Sequence, residues 1–316
     1  GSGDGLTVLS DGNTIQGLQI RNFPGAGIGV YGARNTIGGV AAGVGNVIIW
    51  NESSGIVVSG PDAVYNVIEG NLVGTDAAGT SAAGNAAGGI WVGSTARGTV
   101  IRGNLLSGND YEGLNISIGG AESVVRGNLI GTDITGTHAV PNAGGGIWMG
   151  SGGVLELDTV VFDGAYAEDN GGAIYLDTAA TALLTDVDIA VGALTMGDSG
   201  SGSALMGVED TVVDISGGTW TGGHGGSALF LYDDASLTVD GTTVEDNISG
   251  AIRLPANTLT TISNATFNSN GEALYIGEGC AAEVSGSTFY DNTHPYDGGA
   301  IELYKADLTI DDCVFE

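Results

Sequence analysis

Residues 70–92 read GNLVGTDAAGTSAAGNAAGGIWV and residues 127–149 read GNLIGTDITGTHAVPNAGGGIWM, with 15 of 23 aligned positions identical at an offset of 57 residues. A unit copied at such a period cannot bury its own apolar face and must stack on its neighbours, which is the logic of a solenoid. Working outward from this stretch, apolar-x-apolar strands before a Gly-Asn corner recur at Asn66–Asn71, Thr99–Asn104 and Ser123–Asn128, and more loosely at Thr14–Ile20. Each is followed by a Gly-Ile-x-Val strand: Gly27–Val30, Gly55–Val58, Gly89–Val92, Gly113–Ile116 and Gly146–Met149. The leading glycines are spaced by 28, 34, 24 and 33 residues.

Coils of about two dozen residues with three short strands predict a right-handed single-stranded parallel β-helix. The longer coils then carry insertions, GTDAAGTSAAGN (74–85) and GTDITGTHAVPN (131–142), on alternate N-terminal coils. Alternation along each strand sends Ile90 and Val92 inward and Trp91 outward. Asn71, Asn104 and Asn128 fall at one corner, where strand-spaced amides can bond one another up the stack. A helical reading fails, because Gly recurs every few residues and β-branched side chains dominate the apolar set.

From Val154 the repeat changes style. Ala-(Ile/Leu) anchors stand at Ala173, Ala204, Ala228, Ala251, Ala273 and Ala300, and Phe162, Ile189, Trp220, Val244, Phe267, Phe289 and Phe315 form a matching column expected to stack inside. The fold expected is all-β, one continuous solenoid over 1–316 of about eleven coils. It divides into sub-modules 1–152, of GNLIGTD type, and 153–316, of GGAI type.

Composition agrees with many tight corners: 59 of 316 residues are Gly, against roughly 7% in ordinary proteins. The net charge of −30 is lopsided, with 10 acidic and 5 basic residues in 1–150 but 27 and 2 in the remainder. Such a surface repels nucleic acid and anionic membranes, and no apolar run is long enough for a spanning helix. Cys280 and Cys313 fall at different points of the coil, so two free, largely buried thiols are expected.

The GNLIGTD repeats resemble right-handed parallel β-helix repeats of bacterial surface and secreted proteins. NGGAIYL (170–176), NSNGEALYI (268–276) and GGAIELY (298–304) are similar to repeats of polymorphic outer-membrane proteins and autotransporter-like passengers. The resemblance covers nearly the whole chain and implies a fold shared by pectate lyases, polygalacturonases, tailspike hydrolases and non-enzymatic adhesins, so activity must be argued from sites.

Resemblance to pectate lyases would imply a Ca²⁺ cluster of carboxylates beside an Arg or Lys base. The basic residues here give instead a column of Glu69, Arg102 and Arg126, with Arg21 further back, expected to be a surface ion-pair ladder. Resemblance to polygalacturonases would imply Asn-Thr-Asp, Asp-Asp, Gly-His-Gly and Arg-x-Lys. Gly223-His224-Gly225 and Asp233-Asp234 are present, but in the wrong order and without the other two elements. His138 and His294 stand alone, without metal-ligand spacing.

Trp91 and Trp148 point outward two coils apart, only on coils that carry the insertion, so each is expected to floor its loop; stacking on a glycan is the alternative. Asp76 and Asp133 are expected to cap the loop turns. No cofactor is expected, with Ca²⁺ at Asp76 or Asp133 as the alternative. These readings predict a secreted or cell-surface, non-catalytic structural β-solenoid, a segment of an adhesin, stalk, sheath or filament. Its partners would be further copies end to end or the continuation of a longer chain, because the last coil, from Leu308, leaves a strand edge open. The alternatives are a polysaccharide lyase or hydrolase and a glycan-binding module.

Overall fold

The computed structural model describes residues 3–117, 123–163, 172–190, 204–222, 226–295 and 298–316. The chain is all-β, a right-handed parallel solenoid, and divides into two compact units, Gly1–Tyr166 and Ala167–Glu316. Among the described residues each unit holds three parallel sheets of six strands, in keeping with a solenoid of about eleven coils.

In the first unit the first sheet is built from Leu6–Val8, Ile28–Val30, Ile56–Val58, Ile90–Val92, Leu114–Ile116 and Ile147–Met149. The second contains Thr14–Ile15, Thr36–Gly38, Val67–Glu69, Val100–Arg102, Val124–Arg126 and Val154–Asp158. The third contains Gln19–Arg21, Val47–Ile49, Leu72–Val73, Leu105–Leu106, Leu129–Ile130 and Val161–Asp163. Register is like on like: Ile56, Ile90, Leu114 and Ile147 are successive partners, as are Ile68, Ile101 and Val125. All of these side chains are buried, so each inward column is a continuous aliphatic stack. The unit boundary lies beyond residue 152 because Glu156–Asp158 pair with Val124–Arg126, and Val161–Phe162 with Leu129–Ile130.

Corners are held by amide ladders. Asn46 Nδ2 donates to Asn71 Oδ1 at 2.9 Å, Asn71 to Asn104 at 3.0 Å and Asn104 to Asn128 at 3.0 Å, all fully buried. A second ladder, which the sequence reading missed, runs Asn51, Asn85, Asn109, Asn142 at 2.8, 3.0 and 3.0 Å. Two of its members, Asn85 and Asn142, stand in the duplicated stretch itself, ahead of the Gly-Gly-Ile-Trp of each copy.

In the second unit the anchor column pairs as expected, Ile174 with Leu205, then Leu229, Ile252, Leu274 and Ile301. The third sheet carries the inward column Ile189, Trp220, Val244, Phe267, Phe289 and Phe315. Its rings stack 5.0 Å (Phe267–Phe289) and 4.8 Å (Phe289–Phe315) apart, the distance that strand pairing imposes. Both thiols are free; Cys280 is buried, but Cys313 on the last coil is only partly so, a correction to the sequence reading. Among the described residues no helix is long and apolar enough to cross a membrane.

Candidate functional site

The outward column of the first sheet in the first unit reads Val57, Trp91, Asn115, Trp148 on successive coils. Both tryptophans are half-buried at the outward centre of otherwise buried strands. Two strand spacings put them about 10 Å apart. Trp91 donates its indole N–H to Ser117 Oγ at 2.8 Å. A Cβ at Gly93 would lie 3.2 Å from Cη2 of Trp91, so the glycine gives the ring its place against the strand.

The tips of the insertion loops lie over the third sheet. At Gly79, the tip of the first insertion, a Cβ would stand 3.0 Å from Leu72 Cδ2, 3.1 Å from Leu105 Cδ2 and 2.7 Å from Ile134 Cβ. A Cβ at Gly136 in the second loop would lie 3.2 Å from Leu129 Cδ2. The loops therefore fold over the outward leucines of the third sheet, and Ile134 N–H donates to Gly79 O at 2.8 Å, joining one loop to the next. The reason is position: each insertion leaves directly from a third-sheet strand and turns back on it.

Between the two tryptophan coils, the corner preceding Asn115 carries Glu112. The corresponding corner residues below and above are Gly88 and Gly145, with φ of 115° and 99°, a backbone region that excludes most side chains. The coils are closely packed here: a Cβ at Gly88 would lie 2.8 Å from Glu112 O. Burial pushes the Glu112 pKa up, against the lowering from its own backbone N–H and from the Asn115 side chain. Asn115 Oδ1 is buried without a hydrogen-bond partner. Tyr111, beside Glu112, is exposed. Trp91, Asn115 and Trp148 share the outward column of the first sheet, Ser117 bonds Trp91, and Glu112 lies at the corner before Asn115; the sequence singles out only the two tryptophans. Glu112 and Asn115 are three residues apart across a corner, and that spacing alone carries no signal.

The loop carboxylates act as turn caps, as expected. Asp76 Oδ1 accepts from the N–H groups of Thr80 (2.9 Å) and Ser81 (3.2 Å). Asp133 Oδ1 accepts from Thr135 Oγ1 at 2.7 Å, Thr135 N–H at 3.0 Å and Thr137 N–H at 3.2 Å, while Oδ2 faces His138 Nδ1 at 3.2 Å. The Thr135 hydroxyl, with help from the loop N–H groups, lowers the Asp133 pKa to about 2. Donors converging on a carboxylate oxygen occupy the directions a cation would need. Among the described residues no group of three or more His, Cys, Asp or Glu is placed to hold a metal.

The ion-pair column is present and longer than expected. Arg102 Nη2 lies 2.6 Å and Nε 2.7 Å from Glu69 Oε2, and the register continues from Arg102 to Arg126 and Asp158. Arg21 does not belong to it: that residue lies in the third sheet opposite Ile49, because the corner at Gly17 had already turned the chain. A recess of ≈ 710 Å³ beside it is lined by glycines and aliphatic residues such as Leu18, Val40 and Val47, with no titratable side chain. His224 lies outside the described residues. Asp234 sits in a turn with φ of 61° beside exposed Asp233.

No curated protein sequence matches the chain. The family profile described as right handed beta helix region matches residues 4–184 and 227–316, most of the length, and with the three stacked parallel sheets this settles the kinship: the chain belongs to the right-handed β-helix family.

Proposed function

We infer that the protein is a non-catalytic structural β-solenoid of the bacterial cell surface or secreted space, a segment of an adhesin, stalk, sheath or filament. The observation that carries this reading is where the polar side chains are spent. Asn46 to Asn128 and Asn51 to Asn142 bond along the stack, Asp76 and Asp133 bond their own loops, and Glu69 bonds Arg102. The asparagines and the Glu69–Arg102 pair hold coil to coil, and the two aspartates hold their loops. The formal charge of −30 fits a solvated, self-repelling surface.

Electron microscopy of the protein with and without millimolar Ca²⁺, paired with a polysaccharide cleavage screen, tests the reading. Assembly into filaments, or no cleavage of any polysaccharide, is expected. Product release abolished by a single carboxylate substitution would replace the structural reading with a lyase or hydrolase.

A further inference from the structure

We propose that the first unit holds one long-chain carboxylic acid at the corner between its second and third sheets, the acyl chain in the recess beside residues 39–45 and the carboxylate between Arg102 and Arg126. The inference goes beyond the structural reading and stands whether or not the protein forms filaments.

At this corner three successive coils join the two sheets through Gly70-Asn71, Gly103-Asn104 and Gly127-Asn128, whereas the coil before them places GVAAGVG (39–45) ahead of Asn46. The inserted loop has no polar side chain, yet Val40 is 73% exposed, and Leu18, which lines the same recess, is 43% exposed. Backbone bonds fix the loop: Gly17 N–H donates to Val44 O at 2.7 Å and Gly39 N–H to Glu69 O at 2.8 Å. With Val47, Leu72 and Ala77 it lines the recess of ≈ 710 Å³, inside the range of roughly 300–1,000 Å³ usual for small-molecule sites. A fixed apolar surface left in water favours an apolar occupant, and little freedom is lost when one arrives.

The charge beside the recess defines the head group. Val40 and Gly103 also line an adjoining hollow of ≈ 490 Å³ with Arg102, Arg126 and Asp158. Arg102 is bonded to Glu69, but Arg126 makes no ion pair or side-chain hydrogen bond among the described residues, and Asp158, next in the column, accepts from Thr159 Oγ1 at 2.9 Å. Two guanidinium groups therefore stand on paired strands in register, like charges with no carboxylate between them. A ligand carboxylate bridging them would continue the alternation that Glu69 begins, in the fork geometry that guanidinium favours. The corners leave the hollow open, since a Cβ at Gly103 or Gly127 would meet no atom within 4 Å. From Leu18 on the first coil to Arg126 on the fifth is four strand spacings, about 19 Å, the reach of an extended palmitate. The net charge of −30 opposes docking on an anionic bilayer, so the occupant is a single dissolved acid.

The test is calorimetry of the whole protein with octanoate, decanoate and laurate, each below its micelle concentration, and with octanol as the uncharged counterpart. One site per chain is expected, with affinity rising about two- to fourfold per added methylene and octanol about tenfold weaker than octanoate. Arg126→Gln should weaken laurate about tenfold and leave octanol unchanged. Val40→Glu, which sets a carboxylate at the edge of the recess, should remove laurate binding. Both side chains are exposed, so the fold should survive, with circular dichroism as the check; Leu18→Asn is a second, milder recess variant. Lys305→Ala, at a cation of the second unit, should leave binding intact. No heat from any acid, affinity indifferent to chain length, or laurate binding unchanged in Arg126→Gln and Val40→Glu would overturn the proposal. So would retention on phosphatidylcholine vesicles without laurate binding, which would mark residues 39–45 as a bilayer contact.

Discussion

The two units solve the same corner differently. Between second and third sheets the first unit places a left-handed glycine and then a buried Asn: Gly70-Asn71, Gly103-Asn104, Gly127-Asn128. The second unit keeps the left-handed residue, Asp186, Gly241, Asn264 or Gly286, but follows it with Val187, Thr242, Ala265 or Ser287. Where the amide ladder is lost, the preceding strands lengthen from three residues to five, as in Ser236–Asp240 and Ala281–Ser285, and aromatic rings enter the core. Among the described residues of the second unit, a ladder of Asn247, Asn270 and Asn292 remains at the corner between third and first sheets. A parallel stack therefore needs its corner amides satisfied and its interior filled, and polar ladders and longer hydrogen-bonded strands are interchangeable ways to do so.

The comparison breaks first at the rings. Phe289→Ala removes a side chain stacked on both sides and 1% exposed. It should cost about 3–5 kcal/mol, the range for emptying a large aromatic site, read as a lowered denaturant midpoint at constant slope. A loss below about 1 kcal/mol would mean that the column is not the core of the second unit.

In the first unit the corresponding change is Asn104→Ala. It strips the acceptor from the Asn71 N–H and side-chain amide and the donor from Ile68 O, all buried. About 2–3 kcal/mol should be lost, because orphaned buried groups retain their desolvation cost. Ala265, at the same corner of the second unit, already lacks the amide, so Ala265→Gly should cost clearly less in the same chemical-denaturation assay.

The smallest effect is electrostatic. Asp133 is held at about 2, below its ordinary 3.8, by Thr135 and the loop N–H groups. A lowered native pKa gives stability that is complete above the unfolded value and is lost as pH falls through the native one. The acid limb of stability between pH about 4 and 2 should therefore be shallower in Asp133→Asn. Carboxyl titration by NMR should place Asp133 near 2, whereas a midpoint near 3.8 would remove the cap from the account of this loop.

Much of this was legible in the sequence. The duplicated stretch gives the period, alternation gives the inward Ile90 and Val92 and the outward Trp91, and strand spacing turns Asn71, Asn104 and Asn128 into a ladder and Phe267, Phe289 and Phe315 into a stack. These are consequences of a parallel register, in which equal coil positions must touch, so a one-dimensional pattern suffices. Tertiary structure alone decided what happens where coils differ in length. It set Arg21 on the third sheet, laid the insertions over Leu72, Leu105 and Leu129, and placed Glu112 and Asn115 between two tryptophan coils. Insertions and corners change which residues become neighbours without changing the repeat, and contacts made across them depend on the path of the backbone through space, which no spacing along the chain encodes.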